Sequence, residues 1–402
     1  MTHILDFYRD SDKREEFRQL LILGAQKHPD GLPDFFLEKD LWVTEILRLL
    51  YDEKLMGDFA VAFKGGTALS KCWKVIERFS EDIDLSIHWA DLAEADDESS
   101  AWEQTTKSRS QRDKFRKDVS DRLTKWSAGL VERLNQRFVE YGIEGLGAEL
   151  ETDSPGEKIN IRFPKVTADS SEYHLDYVLL EFGGRNRGRP TVTHVIDSYL
   201  AAIPELSELD CPKATVQVYE PSYILWEKLT ALHQFSTMEK EPNKHRLARH
   251  WYDVDCLLQK GIVDPLASQP AMNDVVEMKK QRWAEKGVDY EAVLDGKMKL
   301  IPDPDRLAGI QEDHNEAIQG RMFYTQPDDF NQIVARLSRA QDDINKKIET
   351  ITWVKNNVRW ACSGAWKQAI VRWKDQDIRS QMTLKDKPDP AIAYIVNRIL
   401  EN

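Results

Sequence analysis

The stretch that decides the fold reads Phe63-Lys64-Gly65-Gly66-Thr67-Ala68-Leu69-Ser70 and, a few residues on, Arg78-Phe79-Ser80-Glu81-Asp82-Ile83-Asp84-Leu85. Phe59 to Phe63 is a short apolar run that reads as a buried strand, and the glycines break it. Ala68 to Val75 resumes with helical spacing, and Asp82 to Ile87 alternates polar with apolar, as a strand with one wet face does. Residues two apart on a strand share a face, so Asp82 and Asp84 project side by side. Adjacent carboxylates repel, and a hard cation between them is the usual reason to keep both. Oxygen ligands of this kind suit magnesium, or manganese in its place.

Gly65, Gly66 and Thr67 form the second element. Glycine lets backbone approach a ligand, and the start of the following helix offers free N–H groups to an anion. Phosphates at one end and metal-holding carboxylates at the other are the parts of phosphoryl or nucleotidyl transfer. Taken singly, a glycine pair is commonly only a turn and an Asp-x-Asp commonly a solvated face. The order strand, glycine turn, helix, Asp-x-Asp strand gives the combination its weight. Lys64 reads as a strand-end lysine, and Lys71, one helical turn past Thr67, as a candidate phosphate contact.

Working outward, helices are expected over Lys13 to Gln26 and, after Gly31-Leu32-Pro33, through Phe36 to Leu50. Within the second, Glu38-Lys39-Asp40 reads as an exposed charge cluster, with bracing of a site wall as the other reading. Ala101 to Val139 has helical period and is rich in Lys and Arg. Strands follow at Ile159 to Phe163, Tyr173 to Phe182 and Thr215 to Val218. A helix starts near Pro221, a residue suited to a first turn, and another spans His245 to Gln259, closed by Gly261. Beyond about Val263 helices alternate with polar connectors. The expected division is therefore 1–262, with a helical insertion near 100–140, and a mainly helical 263–402.

With these residues in view, the chain resembles the AbiEii/AbiGii family of bacterial nucleotidyltransferase toxins, within the DNA-polymerase-beta-like superfamily. The resemblance rests on Leu37-Glu38-Lys39-Asp40, Gly65 to Leu69, Arg78 to Leu85, Leu180-Glu181-Phe182-Gly183-Gly184-Arg185, Glu227 to Leu232 and Arg249 to Val254, and covers roughly residues 10 to 265. It implies an α+β fold, a small mixed sheet with flanking helices, followed by the helical C-terminal region. It implies Asp82 and Asp84 as metal ligands and Ser80 as a position tied to activity. Lys228 would meet triphosphate oxygens, and Asp253 would orient the lysine or the nucleophile. Glu181 fits the superfamily's third carboxylate, as a third metal ligand or as base for an attacking hydroxyl. Arg185 opens a loop with Arg187 and Arg189 that is either a solvated turn or a phosphate grip. The implied reaction moves a nucleoside monophosphate from an NTP to an RNA, tRNA first, or to a protein, under control of a cognate antitoxin. A nucleotide-binding module without catalysis and a phosphotransferase acting at the gamma-phosphate are the other readings. Occupied positions Gly66, Ser80, Asp82, Asp84, Lys228 and Asp253 argue against a degraded enzyme.

The 402 residues suit two or three domains. A formal net charge of −13 opposes nonspecific polyanion binding, so any grip on RNA must be local. The four cysteines show neither zinc spacing nor a disulfide framework, and no apolar run reaches membrane length, so a cytoplasmic protein without membrane contact is expected. The histidines, His88, His174, His233, His245 and His250, show no ligand spacing and read as surface or packing residues. Trp353, Trp360, Trp366 and Trp373 recur at helical intervals among basic residues, which reads first as a core stripe and second as a nucleic-acid surface.

Overall fold

The computed structural model describes residues 2–362, apart from 81, 89–90, 93–107, 153, 155, 169–173, 184–187, 244 and 283–284. In chain order the elements are β1 (Thr2–His3), α1 (Asp6–Arg9), α2 (Ser11–Lys27), α3 (Asp34–Tyr51), β2 (Val61–Lys64), α4 (Gly65–Lys71) and β3 (Asp82–Ile87). The long α5 (Arg109–Tyr141) precedes β4 (Gly147–Leu150), β5 (Lys158–Arg162), β6 (Val178–Gly183), β7 (Thr191–Asp197), β8 (Leu209–Asp210) and β9 (Lys213–Tyr219). Helices follow: α6 (Pro221–Thr237), α7 (Arg249–Lys260), α8 (Gln269–Arg282), α9 (Glu291–Leu294), α10 (Pro304–Gln319) and α11 (Phe330–Cys362).

Seven strands make one mixed sheet in the order β4-β5-β6-β3-β2-β9-β7. β3 lies antiparallel to β2 and parallel to β6, so the Asp82–Asp84 strand sits near the middle with a neighbour on each side. Alternation along β3 sorts its side chains. Ile83 and Leu85 enter a core shared with α3, through Phe36, Leu41 and Leu47, and with α5, through Leu130 and Leu134. Asp82 and Asp84 take the opposite face. That face is covered by α6 and α7, whose Leu225, Leu229, Trp251 and Val254 form a second core with Ala62 and Leu69. Val276 of α8 and Ile333 and Leu337 of α11 belong to the same core, which therefore spans both sides of position 263.

The α+β architecture agrees with expectation, but the charge cluster of α3 does not. Glu38, Lys39 and Asp40 are buried. Glu38 accepts from Tyr8 Oη at 2.9 Å and from the Val166 and Thr167 amides at 2.8 and 3.0 Å, while Lys39 donates to the Leu175 carbonyl at 2.5 Å. Asp40 accepts the Tyr199 amide at 2.6 Å and pairs with Lys71. Each charge is buried with partners from a loop or from α4, which overturns the exposed reading. The side chains of the tryptophan stripe lie outside the described residues.

Candidate active site

β2 ends at Lys64, whose register partner on β3 is Asp84. The chain then turns into α4 through Gly65, at φ +73°. A Cβ built on Gly66 would fall 2.5 Å from Arg78 Nη2 and 2.6 Å from Ser80 Oγ. The second glycine thus leaves room for two side chains of the cleft. Thr67 is buried and donates from Oγ1 to the Asp82 carbonyl, pinning the aspartate's backbone to the helix start.

On the sheet side, Asp84 and Glu181 are register partners on parallel strands, and Asp82 stands one pleat away. Burial first, then the charges of Glu181 and Asp82, push the Asp84 carboxyl up to about 7, with Lys64 and Lys228 opposing. Desolvation and the Asp82 and Glu157 charges also raise Glu181, which still reaches solvent, while Lys158 and Lys64 act against them. Asp82 faces Arg246 Nη2 at 3.5 Å and Arg249 Nη1 at 3.8 Å through one oxygen; its buried Oδ1 has no hydrogen-bond partner. Among the described residues no three acidic, His or Cys side chains close around one point as a finished cage. A crowded carboxylate set with an orphaned buried oxygen fits a divalent cation that completes its shell with water and phosphate.

The helical side is built around Asp253 of α7. Arg78 grips it with Nε at 2.7 Å and Nη2 at 2.8 Å, and Lys228 of α6 donates to it at 2.7 Å. Burial alone would raise this carboxyl, but the two cations hold it well below the usual carboxylate range. Lys64 bonds Glu227 at 3.0 Å; burial would depress its pKa, and Glu227, Asp84 and Glu181 raise it instead. His250 is kept neutral by burial and by neighbouring Lys228 and Arg249.

One cleft of about 320 Å³ is lined by Lys64, Gly65, Gly66, Arg78, Ser80, Asp82, Asp84, Glu181, Glu227, Lys228, Arg249, His250, Asp253 and Lys279 among others. Of the candidates from sequence, the structure brings together Ser80, Asp82, Asp84, Glu181, Lys228, Asp253, Gly65 and Gly66. Thr67 supports from behind. Lys71 is a correction: it points to the back of the sheet, buried against Asp40 and over the Tyr199 ring, 4.2 Å from its centroid. Four residues past Thr67, it shares that residue's face of α4, and neither side chain lines the cleft. Arg185 lies outside the described residues.

Sequence reasoning missed Arg78, Lys64, Glu227, Arg249, His250 and Lys279 as cleft residues. The quoted Arg78 and Glu227 segments carried a signal, but nothing local marks Arg78 as the partner of a residue 175 positions away. Lys279 carries no motif at all.

A mixed sheet that sets an Asp-x-Asp pair behind a glycine turn, facing a lysine held by a buried aspartate, defines a nucleotidyltransferase class of enzyme. A family profile described as "Nucleotidyl transferase AbiEii toxin, Type IV TA system" matches residues 47–336, beyond position 263 and into α11. The chain belongs to this AbiEii nucleotidyltransferase toxin family. No curated protein matches. Among solved structures the chain is similar to "MenT4, nucleotidyltransferase toxin Rv2826c from Mycobacterium tuberculosis H37Rv", at 17% identity and TM-score 0.41, over 82% of this chain and 98% of that one. No helix among the described residues is long and apolar enough to cross a membrane.

Proposed function

We propose that this enzyme transfers a nucleoside monophosphate from an NTP to an RNA acceptor, a tRNA 3′ end first, as the toxin of a pair held in check by a cognate antitoxin. The observation that carries the chemistry is the opposition of Asp82, Asp84 and Glu181 to the Lys228–Asp253–Arg78 group across one cleft. Asp82 and Asp84, with Glu181 as a third oxygen donor, would hold magnesium, which supplies charge neutralisation at the reacting phosphate.

The chain's own residues do the rest. Asp253 holds Lys228 at the cleft wall through its hydrogen bond, where the ammonium binds phosphate oxygens. Arg78 fixes Asp253 from the other side, so the lysine does not draw its partner out of place. Glu181, beside Asp84 on the neighbouring strand and open to solvent, accepts the proton of the acceptor hydroxyl. The hydroxyl oxygen bonds to the alpha-phosphorus, the bond to the beta-phosphate oxygen breaks, and pyrophosphate leaves. Ser80, beside Gly66, donates to a phosphate oxygen.

The test incubates the protein with magnesium, total bacterial RNA and each alpha-labelled NTP, beside Asp82→Ala. Label in a tRNA-sized band with the intact enzyme alone supports the reading. Label on protein moves the acceptor, label from the gamma position makes it a phosphotransferase, and no transfer from either position favours a binding module.

A further inference from the structure

The face that carries Asp82 and Asp84 does not end at Glu181. Ile159 and Ile161 of β5 and Leu180 and Phe182 of β6 belong to the first core. Alternation therefore turns Lys158, Asn160 and Arg162, and with them Leu179 and Glu181, to the carboxylate side. Register sets these residues in rows across the sheet. Asp84, Glu181 and Lys158 form one row; Asp82, Leu179 and Asn160 form the next. One step further, Arg162 meets Tyr177, which directly precedes β6, with its guanidinium carbon 5.8 Å from the ring centroid. Burial first, then the Glu151 and Asp82 charges, raise the Tyr177 hydroxyl pKa against Lys158 and Arg162, so the phenol senses the metal-site face as well as the rim.

The second core, under α6 and α7, takes its sheet residues from β2 and β9, through Ala62 and Tyr219. The β5–β6 end of the same face is wet. Arg162 and its partner Glu149 are 60% and 54% exposed, and Lys158 pairs with a half-exposed Glu151 at 3.6 Å. Every cation here has a carboxylate, but exposed pairs hold each other weakly, so a phosphate replaces a carboxylate at little cost. A cation beside an aromatic ring is also the pairing that stacks a base and holds its backbone on single-stranded nucleic acid. On the β2 side of the carboxylates stand the glycine turn and Lys228. A hydroxyl that gives Glu181 its proton is left the opposite approach, over β6 and β5.

We propose that this end of the sheet is an acceptor platform: a single-stranded RNA end lies over β5 and β6, Tyr177 stacks on a base, Lys158 and Arg162 meet backbone phosphates, and the terminal hydroxyl arrives at Glu181. The proposal rests on the transfer reading for Glu181's part as base. It also gives a chain of net charge −13 the local grip that RNA requires. The plain alternative, a solvated strand face, predicts no effect of these residues on RNA.

The experiment follows binding of 5′-labelled bacterial tRNA to the full chain by fluorescence anisotropy across a salt series, beside NTP binding by calorimetry and steady-state transfer. Tyr177→Ala is expected to weaken RNA binding and raise the KM for RNA by at least about fivefold, the lower end for a lost base stack, with NTP binding within about twofold. Tyr177→Phe keeps the ring and should bind RNA as the wild type does. Arg162→Ala should flatten the fall of log affinity with log salt by about 0.7, the share of one phosphate on a single strand. Unchanged RNA binding in Tyr177→Ala or an unaltered salt slope in Arg162→Ala overturns the platform, as does a Tyr177→Ala variant that loses NTP binding in equal measure. Wild-type protein that binds no RNA but labels a protein removes the platform and keeps the transfer chemistry. Tyr177-dependent RNA binding with no transfer from any NTP keeps the RNA surface and removes the transfer reading.

Discussion

Gly65 and Asp84 occupy space that only one side chain can fill: a Cβ on Gly65 would lie 1.7 Å from Asp84 Oδ2 and 2.4 Å from its Cγ. The glycine is therefore the seat of a carboxylate as well as a turn. Gly65→Ala must either push Asp84 off the cleft floor or move the start of α4, and its φ of +73° adds strain of about 1–2 kcal/mol for a residue with a side chain. Turnover should fall by at least about a hundredfold, with a measurable loss in melting temperature. A variant that melts lower but turns over normally would show that Asp84's seat does not matter to the reaction.

Asp253 sets a pH prediction. Its folded-state pKa is depressed by Arg78 and Lys228, so its contribution to stability is complete above the unfolded value of about 3.9. That contribution is lost as pH falls from there through the folded value. Asp253→Asn leaves two buried cations short of their anion and should cost about 3–5 kcal/mol at neutral pH. Denaturant melts over pH 7 to 2 should show the gap between wild type and variant closing below about pH 4. A gap that stays constant to pH 2 would mean the two cations do not lower this carboxyl.

Where the sequence was legible, the relevant interactions were short in range. The Asp82–Asp84 alternation is a local pattern and β3 forms where that pattern places it, whereas α4 spans Gly65–Lys71 and not Ala68 to Val75, because the glycines open the helix itself. β4 and β7 escaped notice because edge strands need less apolar alternation, and both lie at the ends of the sheet. Glu38 and Asp40 read as surface charges because their partners, Thr167 and Lys71, are remote in sequence. The same holds for Arg78 with Asp253. Lys228 and Asp253 were named only through family resemblance; nothing in their spacing shows that the two side chains meet.

Asp313 of α10 governs the cleft without lining it. Its buried carboxylate accepts the Arg246 amide at 2.6 Å and the Ala248 amide at 2.7 Å, fixing a loop in which Arg246 has φ +62°. That loop delivers Arg246 and Arg249 to Asp82. Asp313→Ala strands these amides, at about 1–3 kcal/mol for each buried group, and frees both arginines. The expected result is a folded protein of lower melting temperature with impaired turnover. A double-mutant cycle with Arg249→Ala checks the route: additive losses in turnover would mean that Asp313 acts elsewhere.

Magnesium should separate the two sides of the cleft. Asp84 is held near neutral pKa by burial and like charge, and Asp82 Oδ1 is buried without a partner, so both gain from a cation. Saturating magnesium should raise the wild-type melting temperature; at a hundredfold excess over its Kd, linkage gives about 2.7 kcal/mol. Asp84→Asn and Asp82→Asn should lose turnover by orders of magnitude and lose the metal-dependent shift. Asp84→Asn should also melt higher than wild type in EDTA, because one of the repelling charges is gone while the side chain still fills the space under Gly65. A magnesium shift retained in both variants would place the cation elsewhere, and a lower EDTA melt for Asp84→Asn would mean that its contact with Lys64 and Lys228 outweighs repulsion by Asp82 and Glu181.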